Sequence, residues 1–513
     1  MGEDRRLQPM KIAFFQDLPW GLGGAGTLLL KQALLMSEVY NVVVVIPADN
    51  QGVPNQEYVK RCEQYHLPYV CIRYVSAFNF LKLENFHGAM ESAASIEEFA
   101  RKEGITFFHS VQVNLAVEYV SRKLMIPHLM NSYQLREEEF KFCPGNIYTH
   151  YHLSDSLLYS DRWCRQLGME SRCSRPVALL DEIRKKKAYP QNGIRILMLG
   201  VVCNKKNQLT AIKAVEKCIG QFQIKLDIAG GLDGQYAEEC KRYVAERGLG
   251  DVVTFHGFVS DITSLLESSD CLLCASDDES FPSSIVEAVT YDLTIISTPV
   301  AGVPEVFRDQ ENCFLSKDFS EAGISESIMK CLEYYKNGEI YRIHEKEQET
   351  WRKNFAPDVV REQIDAYYKD IVKNPVFGSM EPFAALAEEV RKTEELLAGI
   401  DDNGEKWIYG KTLYYSILRK HLSRGRIYIW GAGSRGKVSY AILRRICPEL
   451  EIAAFIDSYK EGMYCGLPVI KADNAPIEEN SFYGISFARG YDEVMLYLER
   501  RGLTYGRQIL YIP

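Results

Sequence analysis

The stretch Ser276-Asp277-Asp278-Glu279-Ser280-Phe281-Pro282-Ser283-Ser284-Ile285-Val286-Glu287-Ala288 decides the reading of this chain. The apolar run Cys271–Ala275 before it has the character of a short buried strand. An acidic, hydroxyl-rich turn follows, and then a helix with Pro282 expected at its first position, where a missing N–H costs nothing. Free backbone N–H groups at Phe281–Ser284 and the positive end of that helix make a site for a diphosphate. At about 1.5 Å per residue, the helix carries Glu287 roughly 7–8 Å along its axis from Pro282. Glu279 sits before the helix and Glu287 within it, so the two flank the anion site. One can grip a sugar, the other a ribose diol. Alone, two glutamates eight positions apart are ordinary surface charges; the strand, the proline and the helix start around them change the reading.

Working outward, short aliphatic strands alternate with amphipathic helices for most of the chain, the pattern of parallel-sheet α/β domains. In the first part, strands are expected at Lys11–Phe15, Val42–Ile46, Thr106–His109, His128–Asn131 and Ser156–Tyr159. A glycine turn, Gly21-Leu22-Gly23-Gly24-Ala25-Gly26, follows the first strand and opens a helix to about Ser37. A basic linker, Arg184–Gly193, separates this domain (1–190) from a second (191–375). The second has strands at Arg195–Gly200, Lys225–Ala229, Val252–Phe255, Cys271–Ala275 and Thr294–Ser297, and helices from Ser320 to Lys369 are expected to close it. Residues 376–425 read as a polar helical connector, and a third α/β unit occupies 426–513.

Composition agrees. The chain has 513 residues, 46% hydrophobic and 25% charged, the usage of an ordinary globular protein of about three domains. Sixty basic against 69 acidic residues leave a net charge of −9, without the basic excess of a nucleic-acid binder. The longest wholly aliphatic run, Val42–Ile46, falls far short of a membrane span. Met1–Pro9 is charged and carries no apolar leader, so a cytoplasmic chain with reduced thiols is expected. Cys271 and Cys274 form a C-x-x-C inside a strand, without a second pair at zinc spacing.

Glu-x7-Glu followed by Thr298-Pro299-Val300-Ala301-Gly302-Val303-Pro304-Glu305-Val306 resembles the signature of retaining family-4 glycosyltransferases, over roughly residues 10–375. The resemblance implies the GT-B fold, two Rossmann-like domains facing each other over a cleft, with the third small Rossmann-like domain appended. It implies that Glu279 contacts the donor sugar and Glu287 the ribose, with Phe281, Pro282 and Ser283 at the diphosphate. Gly302 would bring backbone N–H groups to the sugar and phosphate.

Other positions carry the resemblance less strongly. Lys206 matches a lysine that the family places on the diphosphate, but the position of an accompanying arginine holds Val201. Gly257, in His256-Gly257-Phe258-Val259, resembles a turn near the nucleobase. Gly24 belongs to the glycine loop of the first domain, which faces the diphosphate from across the cleft. His109 resembles a histidine near the reacting centre, the second histidine of that pattern being Val111 here; a structural strand-end histidine is the competing reading. Asn131–Phe142 borders the same cleft or is a solvated helix.

The chain contains no Asp-x-Asp, so no metal site is expected and no cofactor is required. Helix ends and Lys206 would neutralise the leaving diphosphate. The donor implied is a nucleotide sugar, UDP-linked in preference. Implied acceptors are a glycan, a lipid-linked sugar or a protein, with peripheral membrane or protein association and no nucleic-acid partner. Two other readings stand beside transfer: a GT-B sugar-nucleotide epimerase, and a non-catalytic sugar-nucleotide binder or scaffold.

In the third unit, the strand Arg426–Trp430 runs into Gly431-Ala432-Gly433-Ser434-Arg435-Gly436, with a strand ending at Asp457 further on. Gly431, Gly433, Gly436 and Asp457 thus form a candidate nucleotide site, the acid meeting a ribose hydroxyl. A structural or interaction module, a sugar-nucleotide site and an NAD(P) site all fit that pattern.

Overall fold

The computed structural model describes residues 10–17, 23–49, 51–74, 83–112, 114–133, 147–178, 182–184, 189–190, 193–220, 223–398, 418–419, 421–422, 425–486, 491–504 and 507–512. Met1–Pro9, Gly21 and Leu22 of the glycine turn, parts of the 184–193 linker, most of Asn131–Phe142 and residues 399–417 of the connector lie outside them.

Three sheets carry the chain. The first has seven parallel strands in the order Tyr69–Arg73, Asn41–Ala48, Lys11–Phe15, Phe107–Val111, His128–Asn131, Tyr151–Ser154, Glu170–Cys173. The second has six parallel strands in the order Val253–Gly257, Gln223–Ala229, Gly193–Leu199, Cys271–Cys274, Thr294–Ser297, Phe314–Leu315. Both are doubly wound, and their central strands are continuous apolar runs because helices cover both faces. In each sheet the strand order reverses beside the first strand, and ligands of such sheets bind at the carboxyl ends of the strands there. The two reversal points face each other across a cleft, which is the GT-B architecture.

Several expectations need correction. Ser156–Tyr159 is not a strand: the strand is Tyr151–Ser154, and Ser156 caps the helix Leu157–Leu167 by accepting from the Tyr159 N–H. The short apolar run there is a helix start. Pro282 stands one position earlier than expected, as the N-cap of the helix Ser283–Thr290. The helices after Ser320 do not all close the second domain. Pro357–Lys373 crosses back and buries Val360, Ile364, Tyr367, Tyr368 and Ile371 against Ile12, Phe14 and Met36 of the first. That spacing is one apolar helix face. Tyr40 Oη donates to Asp365 at 2.5 Å and Tyr151 Oη to the Asn374 carbonyl at 3.0 Å. The next helix, Glu381–Ala398, is no solvated connector. It buries Phe383, Leu386 and Val390 on the first domain, with Tyr119 edge-on to Phe383. Tyr189 of the linker stacks on His344, 4.5 Å between ring centres.

The third sheet runs Gly462–Tyr464, Leu467–Lys471, Glu451–Asp457, Arg426–Trp430, Ser481–Ile485, Ile509–Tyr511, parallel except for its first pair. Its residues Ile427, Ile429 and Phe455 belong to the same buried cluster as Phe108 of the first sheet and Leu386. Among the described residues, no helix is long and apolar enough to cross a membrane, and every cysteine is a free thiol.

Candidate active site

The cleft between the first two sheets encloses about 540 Å³. From the second domain it is lined by the loop after Gly193–Leu199 (Gly200, Val201, Cys203, Lys205, Lys206), by Gly230-Gly231, by Phe258-Val259, and by Glu279, Ser280, Phe281, Ser283, Ser284 and Glu287. From the first come Gly24, Ala25, Thr27, Leu28, Gln112, Tyr133 and Asp155.

Glu279 and Glu287 both reach this space. Glu279 pairs with Lys206, at the end of the turn Asn204–Lys206. Burial pulls the Lys206 ammonium downward, but the Glu279 carboxylate together with Cys274 and Cys203 outweighs it and the net shift is upward, so the charge is held. Lys205 pairs with Asp278 at 2.8 Å. Glu287 lies on the helix Ser283–Thr290, where it receives Lys31 Nζ from the first domain at 2.8 Å.

The turns are shaped by close packing. Gly302 donates its N–H to the Ser280 carbonyl at 2.9 Å, and a Cβ there would meet Phe281 and Ser156 at 2.8 Å. Gly302 therefore holds the Glu279 loop without lining the cleft. Phe281 is buried against Phe355, the Arg175 guanidinium over its ring. Gly257 takes a left-handed φ of 69° at the end of its strand and accepts the Gly230 N–H at 2.8 Å, which presents Phe258 and Val259 to the cleft. Of the first-domain glycines, Gly24 has open space around it. Gly26 does not: a Cβ there would lie 1.9 Å from the Tyr58 hydroxyl.

His109 stands elsewhere. It is fully buried, with Nδ1 2.5 Å from the Tyr368 hydroxyl and Nε2 2.7 Å from Asn131 Oδ1, and it does not line the cleft. Burial lowers it to about 3, so the ring is neutral. It fastens the returning helix Pro357–Lys373 to the first sheet, and the strand-end reading is the one its surroundings favour. Val201, where the resemblance expects an arginine, is 57% exposed in the cleft.

The domains also meet beside the site. Ser280 donates to the Asp155 carboxylate, and the Ser156 and Ser280 hydroxyls lie 2.9 Å apart. Glu305 accepts the N–H groups of Leu157 and Leu158, both at 2.9 Å, and Arg175 at 2.7 Å. A second-domain carboxylate thus caps a first-domain helix. Tyr133 lies in the Asn131–Phe142 stretch expected to border the cleft or to form a solvated helix, and it lines the cleft. Sequence reasoning missed Lys31, Gln112, Asp155 and Arg175. Each is a single residue whose role comes from the strand end that presents it or the domain that faces it.

In the third unit, a Cβ at Gly436 would sit 2.0 Å from the Gly431 carbonyl oxygen, and Gly431 takes φ 113°. These two glycines are demanded by the turn, whereas Gly433 has open space. Asp457 is already engaged. Its carboxylate accepts the N–H groups of Ala432, Tyr459 and Lys460 at 2.9–3.0 Å, and Lys460 Nζ donates to the Ala432 carbonyl at 2.6 Å. Asp457, the residue expected to meet a ribose hydroxyl, ties its own loop together here.

Comparison with known proteins agrees with this architecture. Residues 180–351 match the family model described as glycosyl transferases group 1. The N-acetyl-alpha-D-glucosaminyl L-malate synthase of Bacillus anthracis is 25% identical over 170 residues, 33% of this chain and 43% of that protein. The putative glycosyltransferase EpsD of Bacillus subtilis is 24% identical over 204 residues, 39% and 52% respectively. The chain thus covers about half, or less, of these relatives' length. Among solved structures, Anabaena HepE in complex with UDP superposes over 70% of this chain and 100% of its own, with a TM-score of 0.58 and 17% identity. HepE is also known with UDP and glucose and with UDP-glucose. At this identity the likeness is one of fold.

Proposed function

We propose that the chain is a retaining, metal-independent glycosyltransferase that moves a hexose or N-acetylhexosamine from a nucleotide sugar, UDP-linked in preference, to a glycan, lipid-linked or protein acceptor. The observation that carries this reading is the convergence of Glu279, Glu287, Lys206 and the start of the helix Ser283–Thr290 on one cleft opposite Gly24. The match of residues 180–351 and the UDP-bound HepE fold support it.

In this reading, Glu287 takes the ribose diol and the N–H groups at the helix start take the diphosphate. Lys206 turns from Glu279 to the leaving phosphate as its charge develops, and Glu279 holds the sugar hydroxyls. The anomeric bond to the phosphate breaks, and the acceptor hydroxyl attacks the same face while its proton passes to the departing phosphate. The closed cleft excludes water and favours transfer over hydrolysis. Such a donor is available in the cytoplasm, at the inner membrane face when the acceptor is lipid-linked.

The test is thermal unfolding and donor turnover with UDP, GDP, ADP and their hexose conjugates. A nucleoside diphosphate at about 100 times its dissociation constant should stabilise wild type by about 2.7 kcal/mol and leave Glu287→Ala unmoved. Absence of any such shift in wild type would refute the reading. One observation favours a second reading, a sugar-nucleotide binder without turnover: Val201 presents an exposed aliphatic side chain in the cleft. That protein would bind the nucleotide and release no product.

A further inference from the structure

The first-domain wall of the cleft contains an unused hydrogen-bonding group. Gln112 follows the strand Phe107–Val111, at the point where the order of the first sheet reverses. The residue is 8% exposed, and Oε1 is buried without a hydrogen-bond partner. Among the described buried side-chain atoms that lack a partner, this one belongs to a residue lining the cleft. Leaving such an oxygen unsatisfied costs about 1–3 kcal/mol, so a partner that brings a donor is strongly favoured.

The backbone that carries this side chain is itself tightly held. Gln112 takes φ 57°, the left-handed region a glutamine seldom occupies. Its N–H is anchored on the Asn131 carbonyl at 2.6 Å. Beside it, strand by strand, come Tyr133 and Asp155, both buried and both lining the cleft. The Tyr133 hydroxyl accepts Asn131 Nδ2 at 2.8 Å, and Asp155 is engaged by Ser280. Burial raises the Asp155 carboxyl to about 8, so near neutrality it is largely uncharged. Among the described lining residues, the cations, Lys205 and Lys206, are both on the opposite wall. The first-domain wall thus offers an amide, a phenol and a carboxyl, a set that fits a neutral ring bearing several hydroxyls and offers little to a phosphate.

We propose that Gln112, flanked by Tyr133 and Asp155, is a specificity-determining residue whose side-chain carbonyl accepts a hydrogen bond from a hydroxyl of a carbohydrate ring held against the first domain. This rests on the transferase reading. The ring is either the donor sugar or the acceptor sugar, and the experiment separates them.

Wild type, Gln112→Ala and Gln112→Asn are compared. Asparagine tolerates the left-handed backbone, so Gln112→Asn should melt no lower than wild type while its amide falls one methylene short. Calorimetry measures binding of the nucleoside diphosphate that wild type accepts and of its hexose conjugates. Steady-state kinetics then use methyl and octyl glycosides as acceptors, with donor hydrolysis followed in parallel. If the ring is the donor sugar, both variants bind the bare diphosphate as wild type does and lose about tenfold on the conjugate. If it is the acceptor sugar, both donor affinities persist and acceptor KM rises about tenfold with hydrolysis unchanged.

Two results overturn the proposal: variants that match wild type in every arm, and variants that weaken the bare diphosphate as much as its conjugate. Wild type that binds no nucleoside diphosphate at all overturns the transferase reading instead, and this inference with it.

Discussion

Lys31 Nζ lies 2.8 Å from Glu287 Oε1, joining the first helix of one Rossmann-like domain to the site helix of the other. Lys31 is buried and the Glu287 side chain is 27% exposed, so the pair is partly shielded from water and joins the two domains. Under the proposed function, the ribose diol and Lys31 share one carboxylate. Lys31→Ala should lower the stability of the unliganded protein by about 1–2 kcal/mol through loss of a charged hydrogen bond. Nucleoside diphosphate binding by calorimetry should persist in Lys31→Ala and vanish in Glu287→Ala. Equal loss in both would make Lys31 a ligand contact.

Lys206 and Glu279 form a further ion pair of the site. Removing the cation that meets the developing phosphate charge should cut turnover by about 10²–10³. Lys206→Ala is therefore expected to bind donor and release product slowly in a coupled diphosphate assay. Turnover equal to wild type would place the cation elsewhere.

Glu305 caps the helix Leu157–Leu167 from the opposite domain and pairs with the buried Arg175. In Glu305→Ala, Arg175 loses that carboxylate and two N–H groups lose their acceptor, at a cost of about 2–4 kcal/mol. The expected result is a lower melting temperature together with a larger radius of gyration by small-angle scattering. An unchanged radius would mean the domains stay closed without this contact.

Asp155 gives a pH signature. Its carboxyl is raised to about 8, chiefly by burial, against an unfolded value near 4. The folded state therefore binds the extra proton between those values, so the stabilisation is complete below about pH 4 and lost as pH rises through about 8. Asp155→Asn removes this dependence. The gap between wild-type and variant melting temperatures should change across pH 4–8 and be level beyond both ends. A constant gap would show that Asp155 ionises normally.

In the third unit, the glycines divide by steric need. Gly436→Ala drives a Cβ into the Gly431 carbonyl and should destabilise that unit by more than about 2 kcal/mol. Gly433→Ala meets open space at a φ of −116° and should be nearly neutral by thermal melting. Comparable losses in both would show that the middle glycine has a further structural role.

The sequence by itself determined the parts of this protein written as local patterns. Buried parallel strands are aliphatic runs, so Arg426–Trp430, His128–Asn131 and Thr294–Ser297 were legible to the residue. The strand, proline and helix around Glu279 and Glu287 form a contiguous motif whose physics is local, and both glutamates face the cleft. A short apolar run was ambiguous, and Ser156–Tyr159 became a helix start because Ser156 caps it.

Only the tertiary structure decided what depends on which face meets which. His109 and Gln112 lie three residues apart at one strand end, yet the histidine is sealed beneath Tyr368 and the glutamine opens on the cleft. No periodicity encodes that difference: the first follows from the returning helix Pro357–Lys373 packing on the first domain, the second from a left-handed turn. Lys31 and Glu287 stand 256 positions apart, and their meeting is fixed by how the two domains close. Asp457 has the spacing of a ribose acid, but its three backbone donors come from the fold of its own loop. Spacing along the chain sets which groups are available, and packing sets which of them remain free for a ligand.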